Sequence, residues 1–131
     1  MRRDDRAAAA EEMKRRTKRF ALRIVRLFKA LPKNEEARVI GRQLLRSGTS
    51  VGANYRAVCR ARSNKEFVAK MGTVVEETDE TAFWIELLIE GEIVSEKRLR
   101  DLLAETNELL AIFAASYHTA RQKPKRRGNT Q

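Results

Sequence analysis

A chain of 131 residues is long enough for one domain with its own hydrophobic core. Its formal net charge of +10 favours polyanionic partners without specifying one, and its single cysteine, Cys59, excludes an internal disulfide. No apolar run approaches the ~20 residues of a membrane span, and the first residues lack the apolar core of a secretion signal. We therefore expect a cytoplasmic protein that does not interact with membranes.

The first predicted helix runs from about Ala8 to Leu31, and Pro32 ends it. Apolar residues recur along it at spacings of three and four, which is typical of a helix with one buried face. These residues are Phe20, Ile24, Leu27, Phe28 and Leu31.

The second helix is predicted to begin after Asn34, a good N-cap residue, with Glu35 and Glu36 in its positively polarised first turn. Ser63 followed three positions later by Glu66 has the form of a capping box, which places a turn near residues 61–64 and the start of a third helix behind it.

The third helix is expected to end at Gly91, and Ser95 is expected to cap a fourth. Four amphipathic helices of roughly 25 residues with short connections predict an all-α protein, an antiparallel up-down-up-down four-helix bundle. We expect residues 1–17 to form a helical N-terminal extension rich in basic and acidic residues, 18–120 the bundle domain, and 121–131 a disordered basic tail.

The interior of the second helix contains three glycines, Gly41, Gly48 and Gly52, each of which costs about 0.5–1 kcal/mol relative to alanine. One interpretation is that they allow a neighbouring helix to approach closely. The other is that the segment is a kinked or frayed helix, or a loop.

The third helix crowds four carboxylates into residues 76–80, so they need either opposite charges or open water. If the second and third helices turn near residues 63 and 64, positions that sum to about 127 lie opposite each other. Arg46 then faces Glu77 or Glu80, and its guanidinium can bind a carboxylate through two parallel hydrogen bonds.

The same register brings Ser50 opposite Glu77, and Asn54 opposite Thr73 or Glu76. We therefore predict a polar seam between the second and third helices. Its residues are Arg46, Ser47, Ser50, Asn54, Glu76, Glu77 and Glu80.

The segments QLLRSGTSVGANYRAVCRARSNKEFVAKM and EETDETAFWIELL closely resemble the bacterial four-helix bundle family that includes the proteins encoded by intervening sequences in 23S ribosomal RNA genes. The resemblance covers about residues 18–115, and Ile85 stands where the family usually has leucine. The residues that carry the family pattern are Arg46, Ser47, Ser50, Val51, Asn54, Phe67, Glu80, Thr81 and Trp84.

This resemblance implies an antiparallel bundle that commonly assembles as a ring-like homopentamer. It also implies relatives that serve as accessory proteins of diversity-generating retroelements, in which a basic pentamer engages nucleic acid and a reverse transcriptase.

Charge is distributed unevenly along the chain. There are 18 basic and 6 acidic residues before position 63, 2 and 8 in residues 63–92, and 8 and 4 in residues 93–131. The basic residues of the first helix are candidates for contacts with RNA or DNA phosphates, which carry no sequence information. They are Lys14, Arg15, Arg16, Lys18, Arg19, Arg23, Arg26 and Lys29, and the tail adds Lys123, Lys125, Arg126 and Arg127.

A different interpretation of these cations is an ordinary solvated face, or one that pairs with the acidic third helix of a neighbouring subunit. The basic tail has a simpler interpretation too, as a solubilising end. Nucleic-acid binding and a protein-interaction scaffold, whose partner could be a reverse transcriptase or another protein, therefore remain alternative functions.

No pattern indicates catalysis, so we predict a non-enzymatic protein with no cofactor and no metal. The only histidine, His118, falls on the last turn of the fourth helix, where a surface role is expected. Cys59 is expected to be a small buried filler. The Glu-x-x-His repeats of carboxylate-bridged metal sites in bundles do not occur.

Phe83 and Trp84 are adjacent on the third helix, so their side chains point about 100° apart and one of them is expected to face outward. A large exposed aromatic side chain indicates a contact surface. We therefore predict that this pair contacts another subunit of a homo-oligomer.

Overall fold

The computed structural model describes residues 2–123, which form four helices and no strand. The helices are α1 (Arg3–Ala30), α2 (Glu35–Cys59), α3 (Asn64–Glu90) and α4 (Glu96–Arg121). Each packs on the next in chain order. The predicted antiparallel four-helix bundle is confirmed.

The helix starts follow local sequence signals at two of the predicted caps. Asn34 Oδ1 accepts a hydrogen bond of 3.0 Å from the Ala37 amide, and Ser63 Oγ accepts one of 3.1 Å from the Glu66 amide. Ser95 is the N-cap of α4, but its side chain makes no capping hydrogen bond.

Helix α1 begins at Arg3 rather than at Ala8 and continues without a break to Ala30. The run of alanines from residue 7 to residue 10 explains the early start, because alanine has the highest intrinsic helix propensity. The boundary that we placed after residue 17 therefore falls inside a single helix, and Thr17 is itself fully buried.

Helix α3 ends in a Schellman motif whose left-handed residue is Glu92 and not the neighbouring glycine. Gly91 is the C-cap with φ of −80°, whereas Glu92 has φ of 58°. The Glu92 amide donates to the Ile89 carbonyl at 3.0 Å, and the Ile93 amide donates to the Leu88 carbonyl at 2.9 Å.

The three glycines of α2 lie in a continuous helix and face α1, so the close-approach interpretation is correct. A Cβ atom placed on Gly48 would lie 2.8 Å from Ile24 Cγ1. One on Gly52 would lie 3.2 Å from Thr17 Oγ1, and one on Gly41 only 2.6 Å from a Leu31 methyl group.

The core is formed by apolar side chains from all four helices. The largest of those that are fully buried are Phe20, Ile24, Leu44, Val51, Val74, Ile85, Leu88, Leu109 and Phe113. Within residues 2–123 no helix combines the length and the apolar character needed to cross a membrane.

Candidate nucleic-acid interface

Three basic residues between positions 14 and 19 of α1 are ion-paired with carboxylates of the same helix. Lys14 Nζ lies 2.8 Å from Glu11, Arg15 Nη2 lies 3.0 Å from Glu12, and Arg19 Nη2 lies 3.1 Å from the other oxygen of Glu12. Such exposed pairs add little stability, but they neutralise the cations locally. This part of α1 is therefore a mixed-charge surface rather than a row of free cations.

Arg16 differs from these residues because its side chain reaches from α1 to carboxylates of α4. Its Nε and Nη2 atoms donate to the two oxygens of Glu105 at 2.8 and 2.7 Å, and Nη2 also lies 2.9 Å from Glu108. The hydrogen bond from Arg16 holds the pKa of Glu105 below its ordinary value, although partial burial opposes the shift. Arg16 therefore joins the two helices and is not a free surface cation.

The second half of α1 carries basic residues that form no ion pair among the residues of the described structure: Lys18, Arg23, Arg26 and Lys29. Lys18, Arg26 and Lys29 are exposed, while Arg23 is half-buried. This is the part of the predicted cationic surface that is available to an external anion.

Arg23 and Arg26 line an open hollow together with Arg98 from the first turns of α4. Its volume is about 390 Å³, and its apolar lining includes Leu27 and Leu99. We call Arg23, Arg26 and Arg98 the arginine hollow. Arg98 likewise forms no ion pair within residues 2–123, although Arg23 is close enough to contribute to the lowered pKa of the Glu105 carboxyl.

Arg98 was not predicted, because the candidate cations were taken from the first helix and the tail and no register was assigned between α1 and α4. The available signal was the antiparallel arrangement itself, which brings the start of α4 beside the end of α1. Of the predicted tail residues, Lys123 is exposed at the end of the described chain. Lys125, Arg126 and Arg127 lie outside the described residues.

The polar seam centres on Arg46, which reaches two carboxylates of α3. Its Nη1 atom lies 3.2 Å from Glu77, and its Nη2 atom lies 2.6 Å from Glu80. Trp84 Nε1 donates to the other oxygen of Glu80 at 3.3 Å. The hydrogen bond from Arg46 lowers the pKa of Glu80. This arrangement agrees with the register of residues that sum to about 127.

In the rest of the seam, Ser47 bonds across to α3 as predicted, whereas Ser50 and Asn54 do not. Ser47 Oγ lies 2.9 Å from Thr81 Oγ1, and both residues are fully buried. Ser50 and Asn54 instead donate to carbonyls of their own helix, those of Arg46 at 2.7 Å and Ser50 at 2.9 Å. Hydroxyl and amide side chains on a helix often bond backbone one turn earlier, which explains why neither spans the seam.

Glu76, also predicted in the seam, faces solvent and forms no ion pair with another residue between 2 and 123. It belongs to an exposed stripe on α3 with the helical spacing of three and four. We call this set the acidic stripe: Glu76, Asp79, Phe83, Glu86 and Glu90.

Phe83 is the outward-facing member of the aromatic pair and is 50% exposed. Its ring centroid lies 4.9 Å from that of Trp84, in an edge-on arrangement. Trp84 is partly buried against the core. The stripe thus has an aromatic side chain at its centre and carboxylates on both sides.

Cys59 is exposed, so its prediction as a buried filler was wrong. It lies in the last turn of α2, where the chain leaves the bundle for the turn before α3. His118 is exposed as well. Residues 2–123 contain no group of His, Cys, Asp and Glu side chains that could hold a metal ion.

These features define a basic, all-α protein of the four-helix bundle class. The sequence profile described as 23S rRNA-intervening sequence protein matches residues 11–115, and the chain belongs to this family. The resemblance inferred from the segments around Arg46 and Glu80 is therefore confirmed.

Among solved structures, the chain is similar to a protein with unknown function from the S23 ribosomal protein family of Bacteroides thetaiotaomicron. The two share 32% sequence identity with a TM-score of 0.76, over 83% of this chain and 97% of the other. No curated protein matches the chain.

Proposed function

We propose that the protein is a non-enzymatic, oligomeric four-helix bundle that binds nucleic acid through a basic surface without strong sequence readout. The observation that supports this most directly is the arginine hollow. Three arginines from two helices line one open depression there, and none has a carboxylate partner among residues 2–123.

The positive charge of the arginine hollow is unbalanced within residues 2–123. Elsewhere on α1 four basic side chains, those of Lys14, Arg15, Arg16 and Arg19, are matched by Glu11, Glu12 or Glu105. In the hollow, like charges repel one another, and an incoming anion removes that repulsion. Guanidinium groups also match phosphate oxygens in geometry, because they offer two parallel donors.

Phosphate contacts position a protein without specifying bases, so binding through the arginine hollow is expected to give little sequence readout. RNA is the nucleic acid to test first, because the family description refers to a 23S rRNA intervening sequence.

The test is fluorescence anisotropy with a labelled RNA and a labelled DNA over a salt series. The variant reverses the hollow: Arg23→Glu, Arg26→Glu and Arg98→Glu together. The matched control reverses three ion-paired, exposed arginines outside both hollows and changes the net charge equally: Arg15→Glu, Arg19→Glu and Arg62→Glu.

We expect the hollow variant to lose at least tenfold in affinity and to reduce the slope of log K against log salt by about 2, since each phosphate contact contributes about 0.7–0.9 to that slope. The control should lose less. Equal losses in both variants would show that net charge alone governs binding. No binding by the unaltered protein at physiological salt would refute the proposal.

We also propose that the acidic stripe mediates self-association. Phe83 supplies an exposed apolar centre, and the flanking carboxylates complement the basic surface of a second copy. A contact between two different surfaces of identical chains is heterologous, and it closes into a ring when the rotation between copies fits. A homopentamer is the ring that the family resemblance implies.

The alternative function is a protein-interaction scaffold, and the same acidic stripe favours it. In this case the stripe docks another protein, such as a reverse transcriptase, rather than a further copy. The two functions differ in salt response, because phosphate binding falls log-linearly with salt while a contact centred on Phe83 persists.

A further inference from the structure

A second hollow lies at the corner where α1 ends and α2 begins. Its volume is about 340 Å³. Its floor is apolar and its rim is basic. The floor residues are Phe28, Leu31, Pro32 and Ala37, and the rim residues are Lys29, Lys33, Arg38 and Arg42. We call this the corner hollow.

Its shape follows from one glycine and one proline. Pro32 prevents α1 from continuing, so the chain turns and leaves a gap beside the last turn. Gly41 carries no side chain, so Leu31 and Phe28 pack directly against α2 at the edge of this gap. A Cβ atom there would lie 2.6 Å from Leu31 Cδ1 and 3.3 Å from Phe28 Cδ1. One edge of the Phe28 ring therefore contacts α2, and the side chain is only partly buried.

The rim has a surplus of positive charge. Arg38 lies 3.1 Å from Glu35, but Lys29, Lys33 and Arg42 form no ion pair within the described part of the chain. An aromatic floor inside a basic rim matches a ligand that is flat and apolar in one part and anionic in the next. A nucleotide unit of a polynucleotide has this composition.

The form of the nucleic acid follows from the size of the hollow. A volume of about 340 Å³ is at the lower end for ligand pockets, so it suits one base and not a segment of duplex. Bases in a duplex are stacked and paired, and only an unpaired base can be turned out to stack on an aromatic side chain.

We propose that the corner hollow binds one unpaired base of a single-stranded nucleic acid, stacked on Phe28, with the adjacent phosphates on Lys29, Lys33 and Arg42. This inference rests on the proposed function. Lys29 lies one helical turn from Arg26 of the arginine hollow, so the two basic surfaces adjoin on α1 and can follow one strand.

The first experiment leaves the protein unaltered. Anisotropy is measured with three labelled oligonucleotides of equal length: a single strand, the corresponding duplex, and a strand of abasic sugars with the same number of phosphates. We expect the single strand to bind about tenfold more tightly than the abasic strand, because stacking one base on an aromatic residue has an effect of this order. The duplex should also bind more weakly than the single strand.

The second experiment changes the floor. Phe28→Leu keeps an apolar side chain but removes the ring, and it should reduce single-strand affinity about tenfold while leaving abasic-strand affinity unchanged. Phe28→Trp should retain the preference for the single strand. Leu22→Ala is the matched control on the exposed surface of α1 and should change neither affinity.

The outcomes separate this inference from the proposed function. Equal affinities for the single and abasic strands would overturn base binding and leave phosphate binding intact. The same conclusion would follow if Phe28→Leu lost affinity equally for the single strand, the duplex and the abasic strand. A free mononucleotide that binds as tightly as the strand would also overturn it, because the site would then serve small nucleotides. Failure of all three ligands to bind would refute both proposals.

Discussion

Arg16 of α1 and Glu105 of α4 are joined by two parallel hydrogen bonds of 2.8 and 2.7 Å, which link the first helix of the bundle to the last. Both side chains are mostly buried, with 23% and 20% of their surface exposed. Seen in the sequence, Arg16 is one of several similar cations on a basic helix. In the folded protein it has a structural partner that Arg26, ten positions later, lacks within residues 2–123.

The first prediction separates these two roles. Arg16→Gln should lower the free energy of unfolding by about 1–2 kcal/mol, because a hydrogen-bonded carboxylate loses its charged partner. Arg26→Gln should leave stability unchanged and weaken RNA binding. Urea denaturation and anisotropy on both variants check this. A larger stability loss in Arg26→Gln than in Arg16→Gln would contradict it.

The second prediction concerns acid. Arg16 holds the pKa of Glu105 below its ordinary value, and Arg46 does the same for Glu80. A carboxyl with a lowered folded-state pKa contributes stability that is fully present above the unfolded pKa of about 4.3. This contribution is lost as pH falls through the lower folded-state value.

Glu105→Gln should therefore reduce stability at neutral pH and lose less stability than the unaltered protein as pH falls below about 4.3. Thermal unfolding measured from neutral to acid pH checks this. Asp101→Asn, at an exposed position of α4 outside the acidic stripe, is the control and should follow the unaltered protein. Parallel acid curves for all three proteins would exclude the pair as a source of acid sensitivity.

The third prediction concerns the contact between α1 and α2. Gly48→Ala gains helix propensity, but the new methyl group would lie 2.8 and 2.9 Å from the two Cγ atoms of buried Ile24. Overpacking typically costs about 1–3 kcal/mol, so we expect net destabilisation. Gly72→Ala is the matched control, because its methyl group meets only the ring of half-buried Tyr117 at 3.1 Å and should be tolerated.

A double-mutant cycle tests whether Ile24 is the cause. Ile24→Ala alone should destabilise the bundle by about 2–5 kcal/mol. Combined with Gly48→Ala it should cost less than the sum of the two changes, because the new methyl group occupies part of the space that Ile24 vacates. Strict additivity would mean that the clash is relieved elsewhere.

The fourth prediction concerns the end of α3. Glu92 adopts φ of 58°, a left-handed conformation that costs a non-glycine residue about 1–2 kcal/mol. Glu92→Gly should therefore stabilise the protein by about 1 kcal/mol. Glu86→Gly, within the same helix, should destabilise it by about 1 kcal/mol. Thermal unfolding of the two variants should move in opposite directions.

The fifth prediction concerns self-association. Phe83→Ser should reduce the mass measured by light scattering, because it removes the apolar centre of the acidic stripe. Leu22→Ser is the control, since Leu22 is 45% exposed on α1 and lies outside the stripe. Circular dichroism should show that both variants remain helical. An unchanged mass in Phe83→Ser would exclude the stripe as the subunit contact.

Several of these features were predictable because they depend on neighbours in the chain. The caps at Asn34 and Ser63 need only an amide three residues away, and Pro32 ends α1 by its own geometry. The register that places Arg46 between Glu77 and Glu80 needed only one further assumption, a tight turn near residues 63 and 64.

The left-handed residue at the end of α3 could not be predicted in this way. Glycine propensity pointed to Gly91, but the hydrogen bonds of Glu92 and Ile93 placed the turn one residue later. The hydrogen-bond acceptors of Ser50 and Asn54 could not be predicted in this way either. Backbone carbonyls of the same helix are always within reach of these side chains and compete with acceptors on α3.

The sequence by itself was sufficient for four amphipathic helices, their order, their approximate ends and the excess of positive charge, since all of these follow from local propensity and periodicity. It could not show which cations are free. That depends on which helices meet: folding brings Glu105 to Arg16, and it brings Arg98 beside Arg23 and Arg26 without a carboxylate partner in the described residues. Charge pairing acts over a few ångströms in space, and residues far apart in the chain reach that distance only when the bundle has formed.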